Sequence, residues 1–237
     1  MRFGERGDRR FRENDIARLI DKNHVGEKSR QRVKDHGEVF TRPPIVAAML
    51  DLAAHETERI DSRFLEPACG TGNFLVEVLR RKLALVEARY RRSQIEYERY
   101  AIVAASSIYG VDLLKDNVEE CRKQLFRTLE ERYERLYKSK CNDSCSRAVN
   151  FILKRNILWG DALTLRMPDT EALPIIFSEW SAISGSHFKR RDFTLANLLE
   201  NSSPERGSLF EPMGEQAFIP TPVAEYPAVH FSKLEFQ

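Results

Sequence analysis

The feature that most constrains this chain is a spacing. Three short apolar runs, RFLEPAC, SIYGVDL and NILWGDAL, are held apart by long stretches of helical period. Connections of that length cannot be hairpins, so the strands they join should lie parallel with helices as crossovers, which makes the unit α/β. After the first run Phe74, Leu75, Val78, Leu79, Leu83 and Val86 recur at helical spacing, and the texture continues to about Ala105. A second amphipathic helix is predicted from about Lys115 to Tyr137, with Val118, Cys121, Leu125, Leu129, Tyr133 and Leu136 on one face. A short helix around RAVNFILK then leads into the third run.

The flanks differ from this core. Residues 1–40 carry eleven Lys/Arg and eight Asp/Glu and read as a solvated helical arm, with helical spacing at Ile16, Leu19 and Ile20. Pro43 and Pro44 can open a helix, because an N–H lost in the first turn has no partner anyway. Beyond Leu165, PIIFSEW and HFKRRDF joined by SAISGS predict a β-hairpin, TLANLLE a brief helix, and residues 201–237 an irregular tail lying extended over another surface. Three units result: an arm (1–40), a core (41–165), and a hairpin with a tail for partner docking (166–237).

Composition narrows the classes. With 42% hydrophobic residues among 237 there is enough to bury a core, and no apolar run approaches the ~18 residues of a membrane span. A charged N-terminus and four Cys without a disulfide framework lead us to expect a cytoplasmic protein. The net charge of +2 excludes a uniformly basic nucleic-acid coat. Two local clusters, seven basic against three acidic residues over 80–100 and Lys189-Arg190-Arg191, can meet phosphates or serve as ion-paired solvated faces. The five His form no cluster and Cys141 and Cys145 lack a second ligand pair, so no metal is expected.

The densest chemistry lies in Glu66-Pro67-Ala68-Cys69-Gly70-Thr71-Gly72-Asn73-Phe74, between a strand and a helix. A Gly-x-Gly turn there lets backbone approach a ligand and aims helix N-terminal N–H groups at it. The turn lacks the third glycine of the dinucleotide fingerprint and the Gly-Lys-Ser/Thr of a phosphate loop, which disfavours nicotinamide and nucleoside triphosphates. Asp112 closes the second strand, where a carboxylate can accept from both ribose hydroxyls or cap the following helix. Asp161 closes the third, placed to accept from an exocyclic amine such as that of adenine, with Leu113 or Trp159 flanking the ring, or to serve as a turn residue. Gly-x-Gly, Asp and Asp at successive strand ends are far more specific together than singly.

HGEVFTRPPIVAAMLDL, FLEPACGTGNFLVEVL, IYGVDLLKDNVEECRKQL and ILWGDAL, in that order, resemble the N-terminal half of the γ-type N6-adenine DNA methyltransferases of restriction-modification systems. The resemblance covers roughly residues 30–165. It implies the cofactor-binding half of a Rossmann-like class I methyltransferase sheet with S-adenosylmethionine as cofactor. Phe40 and Thr41 would contact the methionine end, and Glu66, Pro67, Ala68, Cys69, Gly70, Thr71, Gly72, Asn73 and Phe74 would wrap the amino-acid portion. Asp112 with Leu113 would hold the ribose, and Asp161 with Ala162 the adenine. Arg42 stands where the family commonly has proline.

One absence sets the chain apart. The family's Asn/Asp/Ser-Pro-Pro-aromatic tetrapeptide occurs nowhere in these 237 residues, and the one Pro-Pro, in Thr41-Arg42-Pro43-Pro44-Ile45, precedes the glycine turn with no aromatic after it. That motif accepts from the adenine amine and stacks on the flipped base, so no catalytic residue is assigned in this chain. In the family fold the first strand is central, and here FLEPA would keep an unpaired apolar edge. The expectation is therefore one subunit of a split DNA adenine-N6 methyltransferase, reaching double-stranded DNA through a complex in which a partner protein supplies the catalytic and target-recognition half. A catalytically inactive, methyltransferase-like regulatory subunit is the rival, and a methyltransferase for another substrate a third possibility.

Overall fold

The structure, a computed structural model, describes residues 41–169, 173–200 and 220–237. The expected N-terminal arm, Phe40 and residues 201–219 of the tail lie outside the described residues.

Arg42, in extended conformation, precedes α1 (Pro43–Leu52), which starts on proline as its sequence predicts, and a single turn, α2 (Ala54–Thr57), follows. The central elements are β1 (Phe64–Glu66), α3 (Asn73–Tyr90), α4 (Gln94–Ser106), β2 (Ile108–Asp112), α5 (Lys115–Tyr137), α6 (Asp143–Asn156) and β3 (Ile157–Trp159). The three strands are parallel in the order β1-β2-β3, with Phe64 opposite Ile108 and Gly110 opposite Ile157. The domain is thus α/β, as the spacing required. β2 has both neighbours and is buried at every residue, whereas β1 has β2 on one side and no strand on the other among the described residues.

Strand alternation sends successive side chains to opposite faces, and the two faces meet unlike layers. Ile108 and Ile157 join Leu75, Leu79, Leu83, Ile102, Leu125 and their neighbours in one large core beneath the helices. Tyr109 and Val111 point the other way, into a smaller core with Ile175, Phe177 and Leu195. That second face is covered by the hairpin β4 (Ile176–Ala182) and β5 (His187–Thr194), antiparallel with Phe177 opposite Phe193, followed by α7 (Leu195–Glu200).

Three local features depart from the sequence reading. The helix expected to reach Ala105 is broken after Tyr90. Ser93 takes an extended conformation (φ −124°, ψ 108°) and starts α4, which turns to bury Tyr97, Ala101 and Ile102. Tyr90 and Tyr100 stack across the break with centroids 4.0 Å apart. The helix around RAVNFILK is longer than expected, since Asn142 caps it at Ser144 N and Asp143 and Lys154/Arg155 stand at the dipole ends they favour. The tail is only partly irregular. β6 (Ala224–Glu225) and β7 (Val229–His230) pair with β5, and a 3₁₀ segment, Phe231–Phe236, buries Phe231 and Leu234. Residues 224–237 thus occupy a surface of their own chain.

Two buried cations brace this arrangement. Arg190 has no exposed surface. Its guanidinium makes a two-pronged pair with Asp192 (2.8 and 2.6 Å), donates to the Gln237 carbonyl and lies 4.0 Å from the Tyr226 ring centroid. Lys82, counted in the sequence as part of a solvated basic face, is likewise fully buried and donates to the carbonyls of Ile60 and Ser62 and to Ser107 Oγ. With no carboxylate among the described residues in ion-pair contact, burial pushes its pKa down to about 7.

Removing one member of the buried pair should be costly. Arg190→Ala, which strands Asp192, is expected to cost about 3–5 kcal/mol in urea unfolding, against about 0–1 for Lys189→Ala, whose partner Glu225 is half exposed. Lys82 should give a pH signature. Its folded pKa lies below the unfolded one, so the cost of burying the ammonium is fully present below about pH 7 and is relieved as the pH rises from there. Relative to Lys82→Met, the parent is expected to gain about 1–3 kcal/mol between pH 7 and 9. A difference that stays flat over that range would contradict this.

Candidate functional site

The carboxyl ends of all three parallel strands open on the same edge, and the backbone ties them together there. Cys69 N donates to Val111 O (2.9 Å) and Gly160 N donates to Asp112 O (3.0 Å), so the segments after β1, β2 and β3 are hydrogen-bonded in sequence. Trp159 Nε1 donates to Leu113 O (2.9 Å), a further link between β3 and the turn after β2. The residues singled out at the three strand ends are therefore neighbours.

The first turn is built on its glycines. Gly72 N donates to Cys69 O (2.9 Å), and Gly72 itself, at φ 96°, directly precedes α3. A Cβ there would come within 2.7 Å of Cys121 Sγ and 3.3 Å of the Cys121 Cα on α5, so both the left-handed conformation and the close approach exclude a side chain. The N–H groups of the first turn of α3 have no carbonyl of their own helix to bond, and at the end of β1 they form the ready-made anion-facing edge of a helix N-terminus. Asn73 Nδ2 donates to the Thr41 carbonyl (3.3 Å), which brings the segment before α1 to the same place. Cys69 and Cys121 touch behind the turn, where their mutual hydrogen bond and burial push the Cys69 thiol far up. A thiol so held stays protonated and is no nucleophile.

Asp112 joins the site from β2 and is nearly buried. Its Oδ2 accepts from Gly70 N (2.8 Å), and its Oδ1 from Leu114 N (2.9 Å) and Asn117 Nδ2 (3.2 Å). A carboxylate has about four acceptor sites, so one remains, on Oδ2. Leu113, half exposed beside it, presents an apolar surface. Asp161 is partly exposed, with Oδ1 accepting from Leu163 N (2.8 Å) and Thr164 N, and those bonds lower its pKa. It is thus a turn residue that keeps acceptor capacity on its other oxygen. Glu66, half-buried at the end of β1, is shifted the opposite way by desolvation.

Asn117, and the part Cys121 plays beneath the glycine turn beyond its expected place on the apolar face of the helix, escaped the sequence reading. Both lie on the inner face of α5, where an Asn and a Cys look like ordinary helix residues, and their roles exist only through contacts with residues in other segments. Of the two basic clusters, Arg89, Arg91 and Arg92 are exposed, while other members are ion-paired or buried. Arg80 and Arg81 pair with Glu77, Arg81 also with Asp51, and Arg99 with Glu96. Lys189 and Arg191 pair with Glu225 and Glu179, and Arg190 is buried. Among the described residues no group of three or more His, Cys, Asp and Glu is placed to hold a metal, and no helix is long and apolar enough to cross a membrane.

A parallel sheet whose strand ends present a glycine turn and two carboxylates defines an α/β domain with its candidate site at the carboxyl edge, where folds of this kind receive ligands. The model of the RMKL-like methyltransferase domain matches residues 30–149, half of the chain, and the chain belongs to that family. No curated protein and no solved structure matches it.

Gly72 offers a test of the turn that needs no ligand. Gly185 in the β4–β5 turn also has positive φ (55°), but a Cβ there meets nothing within 4 Å. Gly185→Ala should cost about 1–2 kcal/mol, the conformational term alone, and Gly72→Ala about 1–3 kcal/mol more for the contact with Cys121. Equal losses in urea unfolding would mean that Cys121 does not enforce the turn.

Proposed function

We propose that this chain is the S-adenosylmethionine-binding subunit of a DNA adenine-N6 methyltransferase of a restriction-modification or phage-defence system, acting in the cytoplasm with a partner protein. The observation that carries this reading is the joining of the Gly70–Gly72 turn to Asp112 through the Gly70 N–H, with Asp161 beside them at the end of the next strand. The residues present fit the cofactor in kind: a turn with no room for a Cβ at Gly72, the N–H groups of the first turn of α3, which have no partner within their own helix, and a buried carboxylate with one acceptor site left.

Phe40, Thr41 and Glu66 to Phe74 would hold the amino-acid end, with the N–H groups at the start of α3 facing its carboxylate. Asp112 would accept from one ribose hydroxyl and Leu113 would lie along the sugar. Asp161 and Ala162 would meet the adenine, Asp161 accepting from its amine. The cofactor supplies an electrophilic methyl group on a sulfonium. For these residues the work is binding, orientation and exclusion of water, and Cys69, whose thiol is pushed far up by its bond to Cys121 and by burial, packs behind the turn and is not proposed as a nucleophile. The groups that accept from the target adenine's amine and stack on the base belong to a Pro-Pro-aromatic segment, which the 237 residues lack and the partner would contribute.

Calorimetry with S-adenosylmethionine tests the site. Binding by the parent is expected to weaken at least tenfold in Asp112→Ala, at about 1.4 kcal/mol per factor of ten, and to be lost in Gly72→Val. Tight binding that survives both changes would sink the assignment. Transfer of labelled methyl from the cofactor to adenine in double-stranded DNA is expected only when the partner is added. Robust transfer by the chain alone would overturn the need for a partner, and binding without transfer in the assembled complex would favour an inactive regulatory subunit.

A further inference from the structure

We infer that His187 and His230 form a two-histidine site for a divalent transition-metal ion of the borderline class, Zn²⁺ foremost, and that the ion latches the segment from β7 onward to β5.

The histidines show no cluster along the chain, and no spacing announces this pair. It exists because β5 and β7 run antiparallel with His187 directly opposite His230. Phe231 N donates to Ser186 O (2.9 Å), so the ladder bond lies beside the two histidines and not between them. That makes them a non-hydrogen-bonded pair, the kind in which opposed side chains stand closest, with Cβ atoms about 4.5–5.5 Å apart. In the neighbouring pair, Phe188 and Val229, the side chains turn to the other face and pack in the core. Both imidazoles therefore share the outer face of the strands, His187 exposed and His230 partly so.

The ring geometry suits one shared ion. The rings meet edge to face with centroids 5.6 Å apart. A ligating imidazole nitrogen sits about 2.0–2.1 Å from Zn²⁺ and its ring centre roughly 1.1 Å farther out, so two rings on one tetrahedral ion have centres roughly 5.2 Å apart. A small turn of the exposed His187 ring closes the difference.

The donor atoms are available. Among the described residues the His187 imidazole has a ring contact and no hydrogen-bond partner. His230 Nδ1 lies 2.9 Å from Ser232 Oγ and 3.3 Å from Ser232 N, which leaves Nε2 for the ion. With metal on Nε2 the ring proton sits on Nδ1, where Ser232 Oγ is placed to accept it, the kind of outer partner that orients a ligating histidine. Neutral imidazole suits Zn²⁺, Ni²⁺ and Cu²⁺, whereas Mg²⁺ and Ca²⁺ take oxygen ligands. Water would fill the remaining positions.

The place of the pair makes the ion a latch. β5 and β7 are joined over two residue pairs, and a ladder that short is weak by itself. Beyond it the 3₁₀ segment buries Phe231 and Leu234, and the Gln237 carbonyl accepts from the buried Arg190. A chelate across the ladder ties the strands where that segment begins, and an ion that binds only the paired form stabilises it by mass action.

The test uses the full chain without an affinity tag, freed of metal by a chelator and titrated with Zn²⁺ in a calorimeter. One equivalent is expected to bind, with affinity falling at least tenfold in His187→Ala and in His230→Ala, no further in the double variant, and not at all in His55→Ala. His187→Phe keeps a ring against His230 but removes the donor, so it should lose the ion to the same degree. Hydrogen exchange reads the latch. At saturating Zn²⁺ the Phe231 amide is expected to exchange at least tenfold more slowly in the parent and at an unchanged rate in His187→Phe. No binding by the parent would overturn the inference, as would affinity unchanged in either single alanine variant or in His187→Phe, which would reduce the pair to ring packing. Binding that leaves Phe231 exchange unaltered would mark an adventitious ion only and sink the latch, and displacement of Zn²⁺ by equimolar Mg²⁺ or Ca²⁺ would refute the ligand class.

Discussion

Everything in this molecule is referred to β2. Among the described residues it is the one strand of the parallel sheet paired on both sides, it is buried along its whole length, and its two faces feed two different cores. A strand in that position has no freedom of register, because a slip by one residue would exchange Ile108 and Gly110 with Tyr109 and Val111 and place each set in the wrong layer. Fixing β2 fixes where it ends. Asp112 is that end, and three protein donors from two other segments of chain converge on its carboxylate. The site is therefore positioned by the same constraint that makes the core.

The parallel sheet was legible because its signals are local: β-branched and apolar runs, a Gly-x-Gly turn, and helical periods too long for hairpins. The assembly of Thr41, Gly70, Gly72, Asp112 and Asp161 at one edge was legible for a related reason, since parallel strands with crossover helices must deliver all their carboxyl ends to the same side. What could not be read depends on long-range partners. Lys82 sits in a run of arginines and looks solvated, yet it is the residue on the buried face of α3, and its acceptors come from residues 60–62 and 107. Arg190 alternates with partly buried charged neighbours, but strand pairing and the returning tail close over it completely. The break at Ser93 carries no proline or glycine; it is set by where α4 must lie to bury Tyr97 and Ile102.

The two faces of the sheet also differ in how they are stabilised. Beneath the helices the packing is nearly all apolar, apart from the buried lysine and the contact of Tyr133 with Glu98. On the hairpin side polar groups do much of the fastening. Trp180 Nε1 donates to Asn156 Oδ1, while Asn156 Nδ2 donates to the carbonyls of Ser106 and Ile108, so one amide joins α6, the approach to β2 and the hairpin. Such a bridge makes the hairpin part of the domain rather than an ornament on it, because leaving a buried amide unpaired costs about 1–3 kcal/mol.

The thiols of Cys69 and Cys121, in contact under the glycine turn and shut off from solvent, have a use beyond packing. A reagent that modifies thiols can reach them only when the turn lifts away from α5. The speed of their labelling is then a clock for that opening, read without any ligand, and whatever presses the turn down on α5 slows the clock.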